Sequence, residues 1–100
     1  MTYVIRKREG SITVTDSALA QIVLQAIEAV DGARVRKPRR KLALELEGNR
    51  ATVELELAVT YGKVLPAVAR DVQEQVSGAL TQMCGFDVAA VDVTVEELDR

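Results

Sequence analysis

The stretch Ala51-Thr52-Val53-Glu54-Leu55-Glu56-Leu57-Ala58-Val59-Thr60, followed by the break Tyr61-Gly62 and an apolar-striped run to Met83, decides how this chain folds. Val53, Leu55, Leu57 and Val59 alternate with Thr52, Glu54, Glu56 and Thr60. A period of two with a charged outer side predicts a half-buried strand, covered on one side and wet on the other. Nothing in the stretch is chemically reactive.

Upstream, Lys41-Leu42-Ala43-Leu44-Glu45-Leu46-Glu47 reads as a second strand, and Gly48-Asn49 as a two-residue hairpin turn. With that turn, facing residues have numbers that sum to 97. Leu46 meets Ala51, Leu44 meets Val53 and Leu42 meets Leu55. Glu47 meets Arg50 and Lys41 meets Glu56 on the other face. A slip by one would set leucines against glutamates, and each opposite-charge pair adds roughly 0.2–1 kcal/mol to this register. Glu45, Glu47, Glu54 and Glu56 fall on one face. Paired carboxylates can do acid–base work or hold a cation, but on a flat sheet, among basic and small residues, they read as a solvated face.

Downstream, Pro66 suits a first helical turn, where its missing N–H costs little. Leu65, Val68, Ala69, Val72, Val76, Ala79, Leu80 and Met83 form one stripe, and Cys84-Gly85 closes the helix. Gly78 in the middle costs up to ~1 kcal/mol relative to alanine and reads as a point of close packing. Cys84 lies at the negative end of the helix dipole, the wrong end for a stabilised thiolate, and reads as structural. Phe86 to Glu96 predicts a last strand with Val91, Val93 and Val95 inward, and Glu97 to Arg100 a tail.

Before the hairpin, Tyr3 to Arg6 reads as a short strand or a frayed end, and Arg6-Lys7-Arg8 as a solvated basic run. Ser11 to Thr15 alternates, with Ile12 and Val14 inward. Thr15 or Asp16 caps a helix over Ser17 to Val30, whose apolar face is Leu19, Ile22, Val23, Ala26, Ile27 and Val30. Gly32 suits its C′ position. The segment Ala33 to Lys41 then carries Arg34, Arg36, Lys37, Arg39, Arg40 and Lys41 around Pro38. It is an edge strand or a loop. Its charges suit an anion-binding surface for nucleic acid, acidic lipid or an acidic partner. They equally suit a solvated connection that discourages edge pairing. No aromatic residue lies in the run, and single-stranded nucleic-acid sites usually add stacking platforms.

One hundred residues make a single domain, 1–100. Aromatic residues are 3% of the chain, so the core is aliphatic. There is no histidine and one cysteine, which removes Ser/His and Cys/His catalysis, zinc sites and any intrachain disulfide. With no glycine-rich phosphate loop and no activated nucleophile either, the sequence argues against an enzyme. No cofactor, metal or small-molecule substrate is expected. The first residues lack a signal-peptide pattern and no segment reaches membrane-spanning length, which points to a cytoplasmic protein. The order β-α-β-β-α-β, with one apolar stripe per helix, predicts an α+β two-layer sandwich: one mixed sheet of about four strands with both helices on one face. Order alone also allows a ferredoxin-like split βαβ arrangement.

Several pieces in sequence resemble the alkaline shock protein family of bacteria, also called the envelope stress response family. They are Gly10-Ser11-Ile12-Thr13-Val14-Thr15, Gly32-Ala33, Val59-Thr60-Tyr61-Gly62, Val72-Gln73-Glu74-Gln75-Val76, Met83-Cys84-Gly85 and Val91-Asp92-Val93-Thr94-Val95. Together they cover about residues 10–96. The resemblance implies a small non-enzymatic cytoplasmic protein that acts in stress response or cell-envelope homeostasis. It implies a self-associating scaffold or adaptor at the inner face of the membrane, bound to a membrane-anchored protein. The basic 34–41 segment departs from the family pattern. It supports a second expectation, a nucleic-acid-binding or regulatory module whose binding weakens steeply with salt.

Overall fold

The computed structural model describes residues 3–35 and 43–100. Its elements are β1 (Tyr3–Lys7), β2 (Gly10–Val14), α1 (Asp16–Glu28), β3 (Ala33–Val35), β4 (Ala43–Glu47), β5 (Arg50–Thr60), α2 (Leu65–Cys84) and β6 (Asp87–Asp99). The fold is α+β, with a mixed four-stranded sheet centred on β5.

β6 pairs parallel to β5 along its whole length. β3 and β4, both antiparallel, therefore share the other edge of β5, β3 against Ala58 and its neighbours and β4 against Arg50 to Glu54. The β4–β5 register is the one the turn and charges dictate: Leu44 faces Val53, Leu46 faces Ala51 and Glu47 faces Arg50. Gly48 has φ +64 and no non-glycine residue among those described has positive φ. That is the type II′ requirement rather than type I′. The Leu42 and Lys41 pairings lie outside the described residues. β5, α2 and β6 form a βαβ unit whose strands are adjacent, so the split βαβ alternative does not hold.

Both helices cover one face of the sheet. Val53, Leu55, Leu57 and Val59 share a single buried cluster with Leu19, Val23, Ala26 and Ile27 of α1 and Val68, Val72, Val76 and Leu80 of α2. Each such aliphatic side chain contributes about 1.5–3 kcal/mol on burial. The Thr15 side chain caps α1 by accepting from the Ala18 N–H. Gly85, at φ +73, ends α2 with its N–H directed to Leu80 and Thr81 carbonyls.

Several expectations change. The strand over Ser11 to Thr15 does not join the main sheet; as β2 it pairs with β1 in a separate two-stranded ribbon. Ile12, expected inward, is 51% exposed, because nothing described covers the outer half of that ribbon. α1 ends at Ala29, so Gly32 (φ +88) serves the turn into β3. There the Gly32 carbonyl accepts from the Thr60 N–H, and the Lys63 side chain closes over Gly32 to reach Asp31 at 2.6 Å. Leu65 and Met83 lie at the ends of the α2 stripe and stay exposed. Gly78 meets no atom within 4 Å of an added Cβ, so it is not a close-packing point. β6 runs through the expected tail to Asp99, after register shifts that skip Ala89 and Glu96 in the ladder.

Phe86, 2% exposed just before β6, joins the layers to the ribbon: the Tyr3 ring meets it edge-on at 4.5 Å. Phe86→Ala should cost about 3–5 kcal/mol in urea denaturation. The same variant should release the ribbon, seen as faster amide exchange at Tyr3, Ile5, Ile12 and Val14.

Candidate interaction surfaces

The open face of the sheet follows from the register. Glu45, Glu47, Glu54, Asp92, Glu97 and Asp99 share it with Arg34 and Arg50. Carboxylates outnumber cations there, so this face repels phosphate. The solvated-face reading of the β4–β5 glutamates fits it. Among the described residues no three His, Cys, Asp or Glu side chains group to hold a metal ion.

Arg34 alone of the candidate anion-binding residues lies in the described structure; Arg36, Lys37, Arg39, Arg40 and Lys41 lie outside the described residues. Arg34 stands opposite Ala58, which stands opposite Glu97. Its guanidinium crosses β5 to the far edge strand. Nε donates to Asp99 at 2.7 Å, one Nη donates to the same carboxylate at 3.0 Å, and that nitrogen lies 3.6 Å from Glu97. A bidentate fork on a carboxylate is the geometry for which arginine is suited. This row accounts for Ala58, which is fully buried although its face is the open one. A small residue there lets the guanidinium lie across the strand. Asp99 also accepts through its backbone carbonyl from Tyr61 N–H at 2.6 Å, and Arg100 lies 4.8 Å over the Tyr61 ring. Arg34 is thus committed to holding the end of β6, and its partners are 63 and 65 residues away in sequence, beyond the reach of local pattern.

The pair sets pKa directions. Hydrogen bonding to Asp99 raises Arg34, and hydrogen bonding to Arg34 lowers Asp99 below the ordinary aspartate value of 3.8. Asp31 is lowered in the same way by Lys63. Burial raises the Cys84 thiol, so it is not an activated thiolate.

The outer surface of the helical layer holds a different feature. A groove of about 780 Å3 runs between α1 and α2, walled by Ala18, Gln21, Ile22, Gln25, Ala26 and Ala29 on one side and Gln75, Gly78, Ala79, Gln82 and Met83 on the other. Glu74 is its one ionisable lining residue among those described, in a chain that is 28% charged. The sequence signal for it was present in the four glutamines at helical spacing, which lie outside the apolar stripes yet carry no charge.

Both lowered aspartates bind a proton less readily when folded, so their contribution to stability is present above 3.8 and is lost as pH falls through their folded values. Carboxyl NMR titration should find Asp99 titrating below 3.8, and Arg34→Gln should return it to the ordinary value while leaving Asp31 low. High salt should narrow the difference, because the pair is exposed.

The fold is similar to solved structures of the MamM CTD. A cadmium form is 21% identical, with TM-score 0.56 over 81% of this chain and 94% of that chain. A copper form is 19% identical, with TM-score 0.57 over 83% and 98%. A nickel form is 20% identical, with TM-score 0.56 over 81% and 96%. At these identities the likeness shows the fold alone. No curated protein matches the chain in sequence. No helix among the described residues is long and apolar enough to cross a membrane. Residues 34–100, about two thirds of the chain and including all of β4 through β6, match one family profile. The chain belongs to the alkaline shock protein family, whose function is cell envelope-related.

Proposed function

We propose that the protein is a non-enzymatic, self-associating scaffold for envelope homeostasis, held beneath the membrane through a membrane-anchored partner, and that copies meet along the α1–α2 groove. The observation that carries this reading is the lack of charge in an open groove. Interface cores are depleted in charged residues and enriched in methionine. Here one ionisable side chain lines the groove, and Met83 at its rim is 68% exposed. Gly78 adds support. The fold of one copy leaves room for a Cβ there, yet the helix carries a residue that costs it up to about 1 kcal/mol. A second helical layer laid into the groove would approach Gly78, Ala79 and Ala29 closely. Two copies related by a two-fold axis satisfy this with one surface.

The nucleic-acid reading rests on the charges of residues 36–41. Arg34 is withdrawn from it by Asp99, and the open sheet face beside it is acidic. Loss of nucleic-acid binding when Arg36, Lys37, Arg39, Arg40 and Lys41 are replaced by serine would favour it over the scaffold.

Gln25 and Gln82 are exposed on opposite walls of the groove. In sedimentation velocity over a concentration series, the wild-type chain should assemble. Gln25→Glu with Gln82→Glu should weaken assembly by about tenfold or more, equal to about 1.4 kcal/mol, without unfolding the chain. A wild type that stays monomeric at high concentration contradicts self-association; a double variant that assembles like wild type contradicts the groove as the contact. Gly78→Ala should stabilise the isolated fold by about 0.5–1 kcal/mol.

A further inference from the structure

The β1–β2 ribbon is the one described part of the chain whose outer half rests on nothing else described. Its base is fixed by Tyr3 and Val14, which pack against the core at Phe86. Beyond them every residue from Arg6 to Thr13 is exposed. Cross-strand partners share a face, so Ile5 and Ile12 form an apolar pair on one side, continued at the tip by Lys7 opposite Gly10. Arg6 and Arg8 flank that pair, and Glu9 in the turn leaves a net charge of about +2 on the tip.

An exposed isoleucine beside clustered cations is costly in water and useful at one kind of surface. A bilayer with anionic headgroups takes both: the cations meet the headgroups and the apolar side chain enters the boundary with the acyl chains. A phosphate backbone rewards only the cations, and this tip has no aromatic platform for bases. The rest of the charge distribution favours the same orientation. Glu97 and Asp99 lie at the far end of β6 from Phe86, roughly 40 Å away at strand rise, on a molecule whose long axis is 52 Å. An anionic surface therefore attracts the ribbon tip and repels the opposite end.

We propose that the β1–β2 ribbon tip is a membrane-docking element for anionic lipid, using Arg6, Lys7 and Arg8 for headgroups and Ile12, with Ile5, for the apolar boundary. The proposal rests on the membrane-peripheral part of the functional reading above and is independent of the groove contact. One basic residue near an anionic surface strengthens binding about fivefold, so the tip alone binds weakly and reversibly. Copies joined into an assembly would bind far more tightly through several tips.

The test is vesicle co-sedimentation of the full chain, below its assembly concentration, with phosphatidylcholine vesicles with and without phosphatidylglycerol. The expected result is binding only to phosphatidylglycerol-containing vesicles, weakening as salt rises. Arg6→Ser, Lys7→Ser and Arg8→Ser together should lower that binding at least about tenfold, and Ile12→Ser should remove the part that survives salt. All these residues are exposed, and an unchanged circular dichroism spectrum confirms that the fold is kept. No binding by wild type overturns the proposal. So does full binding by the triple variant with loss on replacing the 36–41 cations, or a tip variant that loses RNA or DNA binding while keeping vesicle binding. Sedimentation velocity on the same variants should be unchanged, so failure here leaves the self-association reading standing, and failure of self-association leaves this one standing.

Discussion

The two-faced burial of β5 is the constraint on which the structure depends. Its odd-numbered side chains from Ala51 to Val59 are almost fully withdrawn from water, and both helices are placed by the need to cover them. Its backbone is paired on both edges, by β6 on one side and by β3 and β4 on the other. A slip of one residue would bring Glu54 and Glu56 into an aliphatic core that, among the described residues, has no buried polar partner to receive them. The strand thus fixes the helical layer, the acidic open face and the direction of β6 together.

That division separates surfaces of different chemistry. The open sheet face is acidic and internally tied by Arg34. The helical face carries an uncharged groove. The ribbon at the Phe86 end is basic and apolar. None of the three brings together a nucleophile, a base and a recess, and membership of an envelope-related family fits surfaces that bind rather than react. Such a chain acts through what it holds in place.

Much of this is legible in the sequence, for stated physical reasons. The β4–β5 hairpin was readable because turn residues, alternation and cross-strand charge all demand one register. α2 was readable because Pro66, an apolar stripe and Gly85 mark its start, face and end. The ribbon was not, because Ile12 and Val14 alternate as any half-buried strand would, and alternation does not say what lies opposite. The end of β6 was not, because Glu97 and Asp99 look like a solvated tail until Arg34 is brought beside them. Arg34 itself could be read as a cation but not as one already paired across the sheet. The groove was missed because an absence of charge is a weaker signal than a cluster of it, and Gly78 was assigned to packing within the chain.

The central claim is that the groove between α1 and α2, and not the acidic sheet face, is where copies meet. The most direct measurement is NMR chemical-shift mapping of the labelled chain over a concentration series. The account predicts shifts and broadening for the Met83 methyl, the side-chain amides of Gln21, Gln25, Gln75 and Gln82, and the Gly78 backbone, with Glu45, Glu54 and Asp92 unchanged. Shifts confined to the sheet face or to the β6 edge, with the groove signals still, would contradict it.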